Sequence, residues 1–288
     1  QVPSDPGKMD GVRPAPIRQA GQVWYPDSAW KTAQALRDFR LEGLPIMILA
    51  NWRGFSGGPG DLYDGILQFG SLIVEELSRA STPVFVYLPT GGELRGGSWV
   101  VLDSTINHNG KIEMYADPSA RGGVMEPEGI VSIKFRKNEI SRLMHRIEGK
   151  AASKLDPKME ESLSCVYRQI AVKYADLHDS TIRMCAKGVI RRTVDLSESR
   201  RFFYSRLYRR LMEDKLARFI ADNNSTTESI EIISEMYRVA EPSSVSYSLI
   251  EDVRAIEFLK EHSVQVEAKL KGHFKAKRIA EIQSELKE

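Results

Sequence analysis

Two glycine-rich segments carry the residues best suited to chemistry. The first reads Asn51-Trp52-Arg53-Gly54-Phe55-Ser56-Gly57-Gly58, the second Gly91-Gly92-Glu93-Leu94-Arg95-Gly96-Gly97-Ser98-Trp99. Glycine lets a backbone approach a ligand closely and take φ > 0. Two such loops can therefore aim main-chain N–H groups at one point. A pair of donors, one from each loop, can hold a developing oxyanion, and one such donor is worth about 3–4 kcal/mol in a transition state. Arg53 adds a guanidinium able to clamp a carboxylate. The plainer alternative is that both segments are ordinary strand-to-helix turns and that Arg53 is a solvated arginine.

Other chemistries find less support. Neither segment is a dinucleotide fingerprint or a Walker A loop, because G-x-G-x-x-G and Gly-Lys-Ser/Thr are both absent. Gly54 to Gly58 spells G-x-S-x-G, with Ser56 at the nucleophile position. A nucleophile elbow turns directly from strand to helix, whereas Ser56 lies well past the apolar run ending at Ala50, and Pro59 separates it from the next helix. His108, His145, His178, His262 and His273 all lie outside both segments. Cys165 and Cys185 have no companions at metal-ligand spacing, so neither a zinc site nor a disulfide framework is expected.

The elements around these segments follow an α/β pattern. Residues 44–50 (LPIMILA) and 83–88 (PVFVYL) are continuous apolar runs of strand length, suited to a parallel sheet covered on both faces. Asp27-Ser28 cap an expected helix over 29–40, and a second helix is expected over 61–80, with Leu62, Ile66, Phe69, Ile73 and Leu77 on one stripe. The second glycine-rich segment runs into an expected helix start at Trp99. Residues 113–116 and 131–135 read as further strands. Strand–loop–helix alternation implies right-handed crossovers, and ligands of open α/β sheets sit beyond the strands' carboxyl ends. No internal repeat is evident. Of 21 glycines, only Gly188 and Gly272 lie beyond Gly149. The chain accordingly divides into an irregular lead-in (1–20), an α/β part (21–148) and a helical part (149–288). Helix breaks are expected at 149–157, 178–181, 188–197, 223–227 and 241–244.

With 42 % hydrophobic and 28 % charged residues and a net charge of +2, the composition is that of a globular protein. The balance of 41 basic and 39 acidic residues gives little support to a nucleic-acid partner. No apolar run reaches the roughly 18 residues of a membrane span, and the start does not read as a signal peptide. The basic stretch 191–218 holds nine Lys/Arg against four Asp/Glu. It reads as a solvated helix face opposite Phe203, Leu207 and Leu211, or else as a patch for phosphates or a carrier domain.

The strings GQVWYPDSAWKTAQAL, ANWRGFSGG, ELRGGSWVVLD, EMYAD and EPEGIVSIKFR, with IAVKYADLHDSTIRM and RRFFYSRLYRRLME further on, resemble one family. It is the C-terminal half of the carboxyltransferase domain of eukaryotic-type, multidomain acetyl-CoA carboxylase. The resemblance runs from about Gln22 to Arg136, resumes in the helical part and fades beyond about Asn223. It implies a crotonase-like ββα superhelix followed by a mostly helical region. It also implies transfer of the carboxyl group from carboxybiotin to acetyl-CoA, giving malonyl-CoA for fatty acid synthesis. Two oxyanion holes would serve, one for biotin and one for the acetyl enolate. In the family the first half mostly holds the CoA thioester, the second half mostly receives the biotin, and the active site lies at a homodimer interface. The implied partners are that N-terminal half and the biotin carboxylase and carboxyl carrier domains of the same polypeptide. No biotinyl-lysine signature and no ATP loop occur in this chain. The implied location is cytoplasmic, with a plastid form as the alternative.

Carried onto this sequence, the resemblance assigns the biotin-side oxyanion donors to the N–H groups of Gly57 or Gly58 and of Gly97 and Ser98. It places Arg53 on the transferred carboxylate. Gly96 lets the second turn form, and Phe55, Ile66 and Trp99 wall the biotin pocket or serve as plain core. Val100 stands where propionyl-type relatives carry Asp, which fits an acetyl group. Glu93, Arg95 and Glu126 read as an ion-pair network bracing the site. Residues 113–117 read as strand-end structure, His178 as a packing or capping residue, and no bound metal is expected. Two other readings stay open. One is a stand-alone crotonase-type acyl-CoA enzyme using Glu93 or Glu126 as acid or base, and the other is a non-catalytic interaction module.

Overall fold

The computed structural model describes residues 19–148, 157–218, 226–240 and 249–285. Residues 1–18 of the expected lead-in lie outside these, as do most of the expected breaks at 149–157 and 223–227 and all of that at 241–244. The α/β part is built from three consecutive ββα units. The first comprises β2 (Ile46–Leu49), β3 (Gly54–Phe55), α2 (Pro59–Tyr63) and α3 (Ile66–Ser78); the second β4 (Val84–Leu88), β5 (Glu93–Arg95) and α4 (Gly96–Val101); the third β6 (Ile112–Ala116), β7 (Arg121–Gly123) and α5 (Pro127–Lys134). The first strand of each unit enters one parallel sheet, in the order β2-β4-β6. The second strands form a shorter layer: β5 pairs with β7, β3 pairs with β1 (Val23–Trp24), and a bridge from Trp52 to Leu94 joins the two pairs. The repetition is invisible in the sequence because the units share a backbone path and not a side-chain pattern.

Burial explains the apolar run 83–88, whereas β2, at the edge of the sheet, leaves Met47 and Leu49 exposed and so is not covered on both faces as expected for 44–50. Val84, Val86, Leu88, Ile112, Met114 and Ala116 face the main core with Ile66, Ile73 and Leu77 of α3. The alternate residues Phe85, Tyr87 and Tyr115 face a second core closed by Val194 and Phe202, with Phe203 packed against it. Strands covered on both faces have no reason to alternate in polarity.

Several expected boundaries move. The first helix, α1, spans Pro26–Leu41 rather than beginning after Ser28. Pro26 occupies its first turn, where the missing N–H costs nothing, and Ser28 Oγ accepts the Tyr25 N–H at 2.9 Å. The single helix expected over 61–80 is two helices, broken at Gly65 with φ +88°. The strand expected over 131–135 is instead the helix α5. Its V-S-I-K-F alternation is too short to outweigh Pro127 at the first helical turn, and Pro127 and Val131, one turn apart, form the buried stripe.

The remainder is helical, with α6 (Lys137–Glu148), α7 (Pro157–Asp176), α8 (Thr181–Ala186), α9 (Leu196–Arg218), α10 (Thr226–Ala240) and α11 (Leu249–Glu285). It also returns one strand, β8 (Arg192–Thr193), to the edge of the sheet beside Tyr115 and Ala116. The solvated face expected for 191–218 holds for Arg191, Arg200, Arg201 and Lys215, which are exposed, and is corrected for the middle of the stretch. Arg206, Arg209 and Arg210 of α9 are buried. Arg206 donates to both Glu113 oxygens at 2.7 and 2.8 Å and to Asp252 at 2.9 Å. Arg209 pairs with Glu213 and Asp252, and Lys111 with Asp214 at 2.6 Å. Burial pushes the Glu113 carboxyl up, but Arg206, Arg210 and Arg191 outweigh it and hold it well below the usual carboxylate range. Sequence charge counts miss this because a buried ion pair and a solvated one have the same composition.

Candidate active site

The glycine-rich segments occupy equivalent places in successive units, where the second strand of each gives way to helix. Backbone bonds lock them side by side. Trp52 N–H donates to Glu93 O at 2.8 Å, Arg95 N–H to Trp52 O at 2.8 Å, and Gly96 N–H to Val124 O at 2.9 Å. Gly96 has φ +55°, and a Cβ there would lie 3.0 Å from Arg53 O. Only glycine meets both demands. Gly54 has φ +131°, and its Cβ position would lie in van der Waals contact with the Gly97 N at 3.6 Å.

Gly96, Gly97 and Ser98 open α4, so their N–H groups have no helical acceptor. Gly96 spends its donor on Val124, while the N–H groups of Gly97 and Ser98 have no acceptor among the described residues. Gly97 is exposed. Gly57 is also exposed, and Gly58 caps α2. The Ser56 hydroxyl donates to the Asp61 carboxylate, which closes that turn. Ser56 is thus engaged in loop closure. What the structure packs against Gly97 from the first loop is Gly54 and the Phe55 ring, rather than Gly57 or Gly58.

The Arg53 backbone borders Gly96, and its side chain is 49 % exposed. One nitrogen meets Glu126 at 3.1 Å and another lies 3.7 Å from Glu93. Glu93 is shared with Arg95, at 3.5 Å from its Nε. Arg95 is buried and donates through Nη1 to Asp179 at 2.5 Å and to Met125 O at 3.3 Å. The expected bracing network of Glu93, Arg95 and Glu126 is therefore present, and Arg53 belongs to it. The guanidinium has five N–H donors, so two carboxylates leave room for a third. The cluster couples an orientable cation to two unpaired main-chain donors, a set suited to carboxylates and oxyanions.

The family described as carboxyl transferase domain matches residues 11–211. This chain belongs to that family. Among curated proteins, acetyl-CoA carboxylase 2 of Oryza sativa subsp. japonica is 49 % identical over 82 % of this carboxyl transferase domain chain and 11 % of its own length. Acetyl-CoA carboxylase 2 of Arabidopsis thaliana is 49 % identical over 83 % and 11 %. The mitochondrial acetyl-CoA carboxylase of Saccharomyces cerevisiae is 40 % identical over 92 % and 12 %. The chain spans about 11 % of the plant relatives' length. Its family match ends at residue 211, near where the quoted strings fade, while similarity to the yeast protein covers more of it. A solved structure of transcarboxylase 12S, with methylmalonyl-coenzyme A and methylmalonic acid bound, superposes with TM-score 0.50 and 20 % identity over 64 % of this chain and 31 % of that one. That likeness bears on the fold, which is the crotonase-like one.

Within this carboxyl transferase domain chain the expected wall residues separate. Phe55 lies over Gly70 and Gly97 and packs on Trp24 at 4.9 Å. Trp99 covers Gly122, and Val100 is exposed. Ile66 is 1 % exposed, within the core on which Phe55 and Trp99 pack. His178 is exposed, with Nδ1 3.0 Å from Tyr174 O and its ring on that of Tyr174. Asp117 accepts from Thr90, Ser119 and the Leu196 N–H. Burial raises its carboxyl, and these bonds outweigh that and lower it. Sequence reasoning missed Asp179, although the YADLHD string containing it was singled out, because nothing in a string shows which residue reaches a distant loop. It also missed Gly122 and Gly123, whose bare backbone admits Trp99 and Asp179.

Proposed function

We propose that this chain is the C-terminal half of the carboxyltransferase of an acetyl-CoA carboxylase. In this reading it acts with an N-terminal half to move a carboxyl group between carboxybiotin and acetyl-CoA, as a step of fatty acid synthesis. The observation that carries the reading is the exposed Gly97 at the start of α4, its N–H without an acceptor among the described residues, in a segment that borders Arg53 at Gly96, in a chain 49 % identical to acetyl-CoA carboxylase 2 of Oryza sativa subsp. japonica. The donor set fits a ureido oxygen, because two main-chain N–H groups at one helix start suit an oxygen that gains negative charge. Carboxybiotin, when bound, supplies the activated carboxyl group. The chain's own residues do the rest. Gly97 and Ser98 donate to the ureido oxygen, with Gly57 or Gly58 as the donor from the first loop. Arg53 orients the transferred carboxylate, and Glu93 and Glu126 hold Arg53 in place. Phe55, Trp99 and Val100 line the approach, and Ile66 supports them from the core.

The second oxyanion hole, for the acetyl enolate, belongs to the missing half, as does most of the CoA contact. The carrier and biotin carboxylase domains of the same polypeptide complete the enzyme, and a homodimer brings the two kinds of half together. The test is carboxyl transfer from malonyl-CoA to free biotin, with this chain alone and then mixed with its N-terminal half. Activity in the mixture alone supports the reading. Activity in the chain alone refutes the division of labour, and silence in a folded, associated mixture refutes the reading itself.

A further inference from the structure

The helical part reaches into the site at one point. Asp179 lies just after α7, in the turn before α8, and its carboxylate receives the buried Arg95 guanidinium at 2.5 Å. The approach depends on Gly123, where a Cβ would lie 2.7 Å from Asp179 Oδ1. Arg95 turns its Nε to Glu93 at 3.5 Å, and that Nε has no hydrogen-bond partner. Glu93 in turn faces Arg53 at 3.7 Å. Charges therefore alternate from Asp179 through Arg95 and Glu93 to Arg53.

We propose that Asp179 is a positioning residue for carboxylate binding, acting on Arg53 through Arg95 and Glu93. This rests on the reading of Arg53 given above. The argument turns on what Arg95 does without Asp179. A buried guanidinium does not stay unpaired. Glu93, already at 3.5 Å, is its nearest other carboxylate. Drawn onto Arg95, Glu93 withdraws from Arg53 and leaves Glu126 as the remaining anchor. Arg53 is half exposed, so a freed side chain regains rotamers that carboxylate binding must then freeze. The extra positive charge left at Arg95 attracts anions, but through Glu93 and solvent it is screened at the Arg53 head group. Loss of orientation therefore outweighs it, and the carboxylate binds more weakly.

The neighbouring Asp176 provides a control. It belongs to the same YADLHD string and pairs with Arg121 at 2.9 Å; the Arg95 charge reaches it only as the smallest of several influences on its carboxyl, with no ion pair between them. A role confined to fastening the helical part to the α/β part would treat the two aspartates alike.

The experiment is calorimetric titration of the complete carboxyltransferase with malonyl-CoA and with acetyl-CoA, which differ by the carboxylate. Asp179→Asn is expected to weaken malonyl-CoA about tenfold and acetyl-CoA less than about twofold. Asp176→Asn is expected to change neither selectively, and Asp179→Asn added to Arg53→Ala to cost nothing further. Should Asp179→Asn fold poorly, Glu93→Gln cuts the same relay at a partly exposed residue and should reproduce the selective loss. Equal weakening of both ligands, the same selective loss in Asp176→Asn, or additive effects with Arg53→Ala would each overturn the proposal. Thermal unfolding of the wild type, Asp179→Asn, Arg53→Ala and the double variant reads the relay without any ligand: non-additive shifts support it, and additive shifts overturn it. If Arg53→Ala leaves the preference for malonyl-CoA intact, the carboxylate reading of Arg53 falls, and the unfolding cycle still decides the relay.

Discussion

Replacing Gly97 by proline and by alanine separates the donor from the space around it. Both substitutions add a Cβ that would meet the Phe55 ring at 2.8 Å. Phe55 is held by Trp24 and by Gly70, so neither ring nor backbone yields freely, and overpacking of this kind costs about 1–3 kcal/mol in either variant. Gly97 is not among the glycines with positive φ, so alanine suits its backbone, whereas proline also restricts Gly96, which has φ +55°. Alanine keeps the N–H, while proline removes it, adds ring carbons at the nitrogen and constrains Gly96, so the donor is read from the rate difference between variants of matched stability. If that N–H stabilises an oxyanion, the proline variant should be slower than the alanine variant by about 3–4 kcal/mol, or about two to three orders of magnitude. The assay is the initial rate of carboxyl transfer from malonyl-CoA to free biotin by the complete carboxyltransferase, with melting temperatures of both variants alongside. Equal rates in variants of equal stability would refute a donor role for Gly97. A slow alanine variant with no further loss in proline would assign the glycine to packing against Phe55.

Arg53→Ala should reduce the rate with malonyl-CoA at least tenfold while moving the melting temperature little, because exposed ion pairs like those to Glu93 and Glu126 are worth about 0–1 kcal/mol; an unchanged rate would remove Arg53 from the site. Glu113→Gln should destabilise the fold by about 3–5 kcal/mol in denaturant titration, since it leaves Arg206 and Arg210 buried with one carboxylate fewer. The same residue sets a pH dependence. Its folded carboxyl lies below the ordinary value of 4.5, so its contribution is fully present above that value and is lost as the pH falls below it. Unfolding free energy should therefore fall with acid below about pH 4.5 and fall less steeply in Glu113→Gln; parallel acid limbs would contradict the buried pair. Gly65→Ala should cost about 1–2 kcal/mol, the penalty for a side chain in the left-handed conformation at φ +88°, and a neutral result in thermal unfolding would mean that the α2–α3 break relaxes.

The sequence by itself determined the parallel sheet and singled out the two glycine-rich segments, although it read them as loops where the structure has β3, β5 and the first turn of α4. The continuous apolar run 83–88 is covered on both faces, as its pattern implied, whereas the run 44–50 forms an edge strand that leaves Met47 and Leu49 exposed, because what covers a strand is set by the rest of the chain. Arg53 stood out by its residue type within the first segment, and the family-like strings added the expectation that particular glycines donate there. Tertiary structure decided what depends on partners far along the chain. Alternation over 131–135 suggested a strand, yet Pro127 starts a helix there because local pattern yields to the buried stripe of Pro127 and Val131. The charges of α9 were countable but not placeable: whether Arg206 is solvated or buried depends on Glu113, 93 residues away. The same holds at the site, where Arg95 finds Asp179 across 84 residues. Short-range physics, meaning backbone freedom and apolar periodicity, is written in consecutive residues. Charge pairing is set by distance in space, and only the folded chain supplies that.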